Sequence, residues 1–258
     1  MRIDEGLKIL ARVDDGVWMR GTFFSLLAAT AIFLVIDMRS LWERNAEEPI
    51  IDPARWPILL PAPGGTGRDG PPVELLSSHE VLRQPMKLEL QRDGVLLAEG
   101  TFDIGAGERF VREIEQRGEY VKTVSLNSPG GSVDDALAIS KLIREKGLDT
   151  RVASGALCAS SCPIVFAGGV RRLAEPEAVV GVHQLSNAST DRTTADQAMS
   201  STQLTTARIT RHLEEMGIDA GLWIKALETP PDKLQYVSAQ EMIDFKLTTG
   251  LSGAMKKK

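Results

Sequence analysis

The residues of this chain best suited to nucleophilic chemistry are one serine and one histidine. Ser160 follows a predicted strand, Thr150–Ser154, and lies at the start of a segment of helical character, 159–166. Backbone N–H groups at a helix N-terminus favour negative charge that develops beside such a hydroxyl. His183 ends another predicted strand and titrates in the range of a general base. Because a serine hydroxyl is a weak nucleophile until a base takes its proton, the pair indicates acyl transfer.

Each of these residues also has a purely structural interpretation. A serine in this position is a common N-cap, and a histidine after a strand can simply be buried. The other two histidines are poorer candidates for a base, because His79 falls in a predicted linker and His212 on a predicted polar helix face. The two residues alone therefore do not decide between a catalytic and a purely structural role.

Strands and helices alternate from Met86 onward, which predicts an α/β fold with a largely parallel sheet. A hairpin is predicted within Lys87–Ala98, around Asp93-Gly94. The other predicted elements are strands at Phe102–Ile104, Val121–Leu126 and Val179–His183, and helices at Glu108–Arg117, Val133–Lys146 and Thr193–Met216. The last helix carries a stripe with the spacing of one helix face, which predicts core or a subunit contact: Met199, Thr202, Thr206, Ile209, Leu213 and Met216.

Composition excludes several classes of protein. The chain has 258 residues, of which 43% are hydrophobic and 25% charged, as in a globular protein with a sizeable core. A net charge of −5 and 5% aromatic residues disfavour nucleic acid as a partner. The turn at Gly130-Gly131 lacks the Lys-Ser/Thr of an ATP-binding loop, so no ATPase activity or partner is implied.

The N-terminal region contains an apolar run, Gly21–Ile36, between Arg20 and Asp37. A membrane helix has a lower limit of roughly 17 apolar residues, and Val17–Met19 extend this run if Arg20 snorkels. The run favours an uncleaved membrane anchor. A cleaved signal peptide, with Ala29-Thr30-Ala31 as its cleavage motif, and a buried core helix are the alternatives. The basic residues before the run favour a cytoplasmic N-terminus.

Proline and glycine are concentrated after this run, with seven of the thirteen prolines between Pro49 and Pro72. Such a composition is typical of a linker. The chain is therefore divided into a short N-terminal segment at 1–20, a transmembrane anchor and flank at 21–42, a linker at 43–82 and a globular domain at 83–258.

Three motifs, in this order, resemble the proteolytic subunit of the Clp protease superfamily. They are Asn127-Ser-Pro-Gly-Gly131, Gly155-Ala-Leu-Cys-Ala-Ser160 and Gly181-Val-His183-Gln184. The resemblance covers residues 86 to 250 and implies a crotonase-like spiral of β-β-α units and a homo-oligomer. The variant Cys158-Ala-Ser-Ser-Cys162 is similar to a membrane-anchored, extracytoplasmic branch of that superfamily.

The resemblance also implies catalytic roles. Ser160, rather than Ser161, corresponds to the nucleophile, and His183 to the general base. The backbone N–H groups of Gly131 and Ser161 correspond to the oxyanion hole, where each donor is typically worth about 10²–10³ in rate. Glycine suits position 131 because a Cβ could obstruct the approach of the N–H to substrate.

The third member of the triad is less well determined. In the family an aspartate lies shortly before a helix start that corresponds here to Ser238-Ala-Gln-Glu241. Alignment without a gap gives Leu234 at that position, and the nearest acid, Asp232, requires a shift of two residues. Two expectations follow: a triad completed by Asp232, or a Ser–His dyad.

Cys158 and Cys162 have two interpretations. Two cysteines with no histidine nearby do not make a metal site, and we expect no metal or cofactor. On a regular helix their Cβ atoms would lie about 6 Å apart, too far for a disulfide. Because Cys158 precedes the predicted helix, a disulfide that braces the Ser160 loop is feasible. Free buried thiols are the other interpretation, and an oxidising compartment would favour the disulfide.

The sequence thus predicts a single-pass inner-membrane serine hydrolase, most simply a peptidase for short or unfolded peptides, whose domain lies in the periplasm. A non-catalytic binding or assembly module of the same fold is the first alternative. An esterase or thioesterase on this fold is the second.

Overall fold

The computed structural model describes residues 15–47, 73–185 and 194–251, and the chain divides into two compact units, 1–55 and 56–258. In the first unit, helix α1 (Asp15–Glu47) contains a segment, Gly16–Arg39, that is long and apolar enough to cross a membrane. The side chains of this segment are exposed. The helix extends beyond the predicted anchor and flank at both ends, and residues 48–72 of the predicted linker lie outside the described part.

The second unit contains a six-stranded sheet with the strand order β1-β2-β3-β4-β6-β9. Its strands are β1 (Lys87–Leu90), β2 (Val95–Glu99), β3 (Thr123–Asn127), β4 (Asp149–Val152), β6 (Arg172–Ala174) and β9 (Gly250–Leu251). β1 and β2 form the predicted hairpin and are antiparallel, and all other neighbours are parallel. The predicted α/β class is confirmed.

A second sheet has the order β5-β7-β8 and consists of β5 (Leu157–Ala159), β7 (Val179–Val182) and β8 (Gln235–Tyr236). β5 and β7 are parallel, whereas β7 and β8 are antiparallel. The helices of this unit are α2 (His79–Leu82), α3 (Ala106–Arg117), α4 (Val133–Glu145), α5 (Cys162–Ala167), α6 (Ala195–Glu215), α7 (Ala220–Glu228) and α8 (Ala239–Asp244).

One order of elements recurs along this unit: a strand of the large sheet, a second strand or single bridge, and then a helix. β2 leads to a bridge between Phe102 and Gly131 and then to α3. β3 leads to a bridge between Ser128 and Cys158 and then to α4. β4 leads to β5 and α5. As a result, residues 128–131 run between residue 102 on one side and β5 on the other.

The structure differs from the sequence prediction in three elements. The strand predicted at Phe102–Ile104 is only a bridge, and Ile104 is 93% exposed. The segment predicted as helical at 159–166 contains the end of β5, and helix α5 begins only at Cys162. The stripe on α6 is core at Ile209, Leu213 and Met216 but exposed at Met199.

The end of the predicted linker belongs to the folded domain. Residues 73–82, here called the strap, lie on the second sheet, and Leu75 packs in a cluster with the fully buried Leu82. The Leu76 N–H donates a 2.7 Å hydrogen bond to the Gly155 carbonyl. These contacts place the start of the globular domain before residue 83.

Candidate active site

Ser160 and His183 follow two neighbouring parallel strands. β5 and β7 pair with Ala159 opposite Gly181, and the Ser160 N–H donates a 3.0 Å hydrogen bond to the Gly181 carbonyl. His183 is the first residue after β7. Because neighbouring strands lie about 4.8 Å apart, this pairing brings the serine and the histidine to the same edge of the small sheet.

The backbone turns sharply at Ser160. Its φ of 60° lies in the left-handed region, which L-residues other than Asn and Asp rarely adopt. Ser161 is 3% exposed, and its Oγ has no hydrogen-bond partner among the described residues. Ser160 is partly exposed. The hydroxyl that a substrate could reach is therefore that of Ser160.

The turn at residues 127–131 runs beside β5. The Ser128 N–H donates to the Leu157 carbonyl at 2.6 Å, and the Ala159 N–H donates to the Ser128 carbonyl at 3.0 Å. The Ser128 Oγ accepts a 3.1 Å hydrogen bond from the Gly130 N–H, which closes the turn. The turn is thus fixed to the strand that carries Ser160.

The N–H of Gly131 points toward the side of the turn on which β5 lies. On the other side of the turn, the Phe102 N–H donates to the Gly130 carbonyl at 2.8 Å, and the Ser132 N–H donates to the Phe102 carbonyl at 2.7 Å. In a trans peptide, the C=O and the following N–H point in opposite directions. The Gly131 N–H is therefore directed away from Phe102, toward the side of β5, where an oxyanion-hole donor is required.

Gly130 lies directly against Ser160. A Cβ on Gly130 would lie 2.5 Å from the Ser160 Cβ, 2.8 Å from the Ala159 carbonyl oxygen and 3.0 Å from the Ser161 nitrogen. The φ of Gly130 is +102°, so glycine is required both for space and for conformation. The sequence predicted a role for Gly131 alone, and the need for glycine at position 130 became visible only in the structure, although the two paired glycines were a signal for it.

Burial lowers the pKa of His183, because desolvation disfavours the imidazolium, and the Gln184 backbone offsets this effect in part. The ring is therefore neutral at neutral pH, the form that accepts a proton. Its Nδ1 is buried and has no hydrogen-bond partner among the described residues. Within the described part of the chain, no second group thus orients the imidazole through that nitrogen.

Leu234, rather than an acid, lies across from His183. β8 runs antiparallel to β7 with Gly181 opposite Tyr236, so the register places residue 234 opposite residue 183. The Leu234 side chain also covers Gly181, where an added Cβ would lie 2.7 Å from the Leu234 Cγ. Asp232, the predicted third member, is exposed before β8, and no hydrogen bond links it to His183 in the described part of the chain.

Cys158 and Cys162 are joined by a disulfide in the structure, with their Cα atoms 5.1 Å apart. Both residues are fully buried. The bridge spans Ser160, because Cys158 lies in β5 and Cys162 opens α5.

The Asn127 side chain connects three segments around the turn. Its Nδ2 donates to the Ser77 Oγ of the strap at 2.8 Å and to the Glu99 Oε1 of β2 at 2.9 Å. Its Oδ1 accepts from the Leu157 N–H at 3.0 Å. Ser77 Oγ in turn donates to Glu99 Oε1 at 2.6 Å. Asn127 is 1% exposed, so this network fixes the start of the turn inside the domain.

His212 does not lie on a polar helix face, as predicted, but is 2% exposed. Its Nε2 is 2.8 Å from the Ser140 Oγ, which donates to the Ile164 carbonyl at 2.7 Å. A hydroxyl has one hydrogen, so His212 must donate through Nε2–H, and this fixes its tautomer. Burial lowers the pKa of His212, and Lys141 lowers it further.

The cleft beside Ser160 is apolar. Its other lining residues come from α5, β7, α6 and α7: Pro163, Ile164, Val182, Leu213, Leu222, Trp223 and Ala226. Within residues 15–47, 73–185 and 194–251, no group of three or more His, Cys, Asp or Glu side chains could hold a metal ion. The arrangement is a serine beside the directed N–H of Gly131, a histidine whose pKa is lowered by burial, and an apolar cleft.

Comparison with known proteins agrees with this arrangement. Residues 114–248, just over half of the chain, match the family model of the Clp protease. The chain belongs to the Clp protease family. It is also similar to the ATP-dependent Clp protease proteolytic subunit 2 of Thermobifida fusca (strain YX), with 29% identity over 146 residues, which cover 54% of this chain and 68% of that protein.

The segment that matches the Clp protease family model contains the candidate site but not all of the elements that hold it in place. The turn at 127–131, Ser160 and His183 fall inside residues 114–248. The strap, β1 and β2 precede that segment. Two of the three side chains in the Asn127 network, Ser77 and Glu99, therefore lie outside the part that the family accounts for.

Proposed function

We propose that this chain is a membrane-anchored serine peptidase that cleaves short or unfolded peptides. Its membership of the Clp protease family supports a peptidase-type activity. One contact carries the proposal: Gly130 against Ser160, which keeps the double-glycine turn beside the reachable hydroxyl. The proposed architecture is a crotonase-like spiral, and the recurring strand–strand–helix order supports it.

In the proposed mechanism, Ser160 Oγ attacks the carbonyl carbon of the scissile bond while His183 takes the hydroxyl proton. The N–H groups of Gly131 and Ser161 hold the oxyanion of the tetrahedral intermediate. His183 then returns the proton to the leaving amine, and water releases the acyl group from Ser160. His183 Nδ1 has no hydrogen-bond partner among the described residues, which favours a dyad of Ser160 and His183, with a triad through Asp232 as the competing arrangement.

The proposed location is the inner membrane, with the domain in the periplasm. The apolar segment Gly16–Arg39 supports an anchor, and the disulfide between Cys158 and Cys162 fits an oxidising compartment. We propose a homo-oligomer, in which the exposed half of α6 around Met199 contacts another subunit.

The test is labelling of the full chain, purified in detergent, with a fluorophosphonate probe, which reacts with activated serines. Ser160→Ala is compared with Ser161→Ala, which keeps the backbone N–H and loses only a buried hydroxyl. We expect labelling of the wild type and of Ser161→Ala, and none of Ser160→Ala. His183→Ala should lower the rate by about 10²–10⁴, the usual contribution of a general base.

A non-catalytic binding module is the second candidate, favoured by the absence of a partner on His183 Nδ1 among the described residues. A folded wild-type chain that is not labelled at all would support this module and reject the peptidase. Loss of labelling in Ser161→Ala alone would show that the nucleophile is Ser161 and not Ser160.

A further inference from the structure

The helix behind Ser160, α5, begins without a side-chain cap, as does α3, whose N-cap residue is Gly105. At the starts of α2, α4, α6, α7 and α8, a side-chain oxygen accepts a hydrogen bond from the first turn. At α5 the N-cap residue is Ser161, whose hydroxyl makes no such bond. Its Oγ is buried and has no partner in the described part of the chain. Another interaction must therefore hold the start of α5 against β5.

The Cys158–Cys162 disulfide occupies this place. Cys158 is held on both sides, since it pairs with Val180 in β7 and forms a bridge with Ser128. Cys162 is the first residue of α5. The bridge therefore connects a strand with fixed neighbours to the first turn of a short helix, and it leaves only three residues between its ends.

The middle one of these three residues is Ser160, in the left-handed conformation. This conformation costs an L-residue free energy, so it persists only where the surrounding structure enforces it. A disulfide that closes so short a loop removes little entropy from the unfolded chain. Its main effect is therefore local: it restricts the backbone on both sides of the serine.

We propose that Cys158 and Cys162 are positioning residues for the peptidase, and that their disulfide holds Ser160 and the Ser161 N–H in the reactive arrangement. This inference rests on the proposed function. The oxidised chain is the active form. Reduction, in which dithiothreitol transfers two electrons and two protons to the bridge and becomes a cyclic disulfide, leaves two thiols and a turn that is no longer restrained.

The test compares the oxidised full chain, the same chain reduced in mild urea and returned to buffer, and the variant Cys158→Ala/Cys162→Ala, all in detergent. Alkylation followed by mass spectrometry counts the free thiols. The readouts are the melting temperature and two constants for fluorophosphonate labelling: the maximal rate and the probe concentration at half-maximal rate. Ser140→Ala, which removes a buried hydrogen bond to α5 at Ile164 but keeps the disulfide, is the matched control for lost stability.

We expect reduction and the double substitution to lower the maximal rate by at least about tenfold, because a misplacement of about 1 Å can cost about 10²-fold. The half-saturating probe concentration should change by less than about twofold, since positioning acts on the chemical step. Reoxidation should return the reduced wild-type chain to its original rate. The double variant, which has no thiols to oxidise, should stay slow under the same treatment. Ser140→Ala should keep its maximal rate while it loses melting temperature.

Equal maximal rates in the oxidised and reduced chains, with Ser160 labelled in both, would overturn this inference and leave the peptidase intact. A loss of rate in Ser140→Ala that matches the loss in the double variant would also overturn it, since stability would then explain both. Absence of labelling in the oxidised wild type would reject the peptidase itself, and this inference with it. If the double variant does not fold, the reduced and reoxidised wild-type samples decide the outcome.

Discussion

Gly130 and Ser160 are in backbone-to-side-chain contact, so that a methyl group on the glycine would lie 2.5 Å from the serine Cβ. Two turns far apart in sequence therefore share one small volume. The position of the serine hydroxyl relative to the Gly131 N–H depends on this contact, because no atom can be inserted between the turns.

Gly130→Ala should therefore abolish reactivity at Ser160. The added methyl must displace Ser160 or the turn, and φ at position 130 is +102°. We expect the maximal rate of fluorophosphonate labelling to fall by at least about 10²-fold. Gly147→Ala is the control: its φ is also positive, at +67°, but no atom lies within 4 Å of the added Cβ. A Gly130→Ala chain that is labelled at the wild-type rate would contradict the role of this contact.

The pH dependence of labelling should report the burial of His183. Burial lowers its pKa below the ordinary value of 6.5, and the neutral form is the base. The midpoint of the decline in labelling rate as pH falls should therefore lie below 6.5.

The same profile distinguishes a dyad from a triad. For a dyad, Asp232→Asn should change the rate by less than about twofold, whereas loss of a triad aspartate costs about 10⁴-fold. A midpoint above 6.5 in the wild type, lowered by Asp232→Asn, would show that a carboxylate does reach the imidazole.

Folding stability should fall as the pH drops below about 6.5, the ordinary pKa of histidine. Burial, followed by the charge of Lys141, lowers the pKa of His212 in the folded state, and Glu215 opposes this effect. Between the lowered pKa and 6.5 the unfolded chain binds more protons than the folded one, so acid favours unfolding. Urea unfolding at several pH values measures the slope.

His212→Gln should reduce that slope, and His183→Gln should remove a further part, because burial lowers both pKa values. An unchanged slope in the double variant would mean that other groups control the acid sensitivity of this fold.

The proposed membrane anchor predicts how the chain fractionates between membrane and soluble extracts. The full chain should stay with membranes after alkaline carbonate extraction, whereas a chain that begins at residue 48, after α1, should be released. The reason is the exposed apolar surface of Gly16–Arg39, which the proposed anchor buries in lipid. Mass spectrometry of the membrane fraction should give the uncleaved chain. A mature protein that begins at Ile32 would instead identify a signal peptide.

The sequence singled out Ser160 and His183 as candidate reactive side chains, but several of their neighbours could be found only in the structure. β5 was not predicted, because Leu157–Ala159 is a short, fully buried strand without alternation, and its small residues also fit a helix. The burial of His212 was missed because charged neighbours surround it in sequence, while its partner, Ser140, comes from another helix. Patterns of residue type show faces and turns, whereas such pairings depend on packing between distant segments.

The position of Leu234 illustrates the same limit. Alignment alone gave either Leu234 or Asp232, and the strand register decides which of them lies across from His183. The hairpin within Lys87–Ala98 was predicted correctly, because it depends on neighbours in sequence.

The strap determines how proteolytic release of the domain from the proposed anchor would affect the candidate site. A cut on the N-terminal side of Val73 would release a domain that keeps Ser77 and its hydrogen bond from Asn127. A cut between Ser77 and Met86 would release a domain whose buried Asn127 amide has lost one of its partners, at a cost of about 1–3 kcal/mol. The turn at residues 127–131 would therefore be better ordered in a soluble form cut before Val73 than in one cut between Ser77 and Met86.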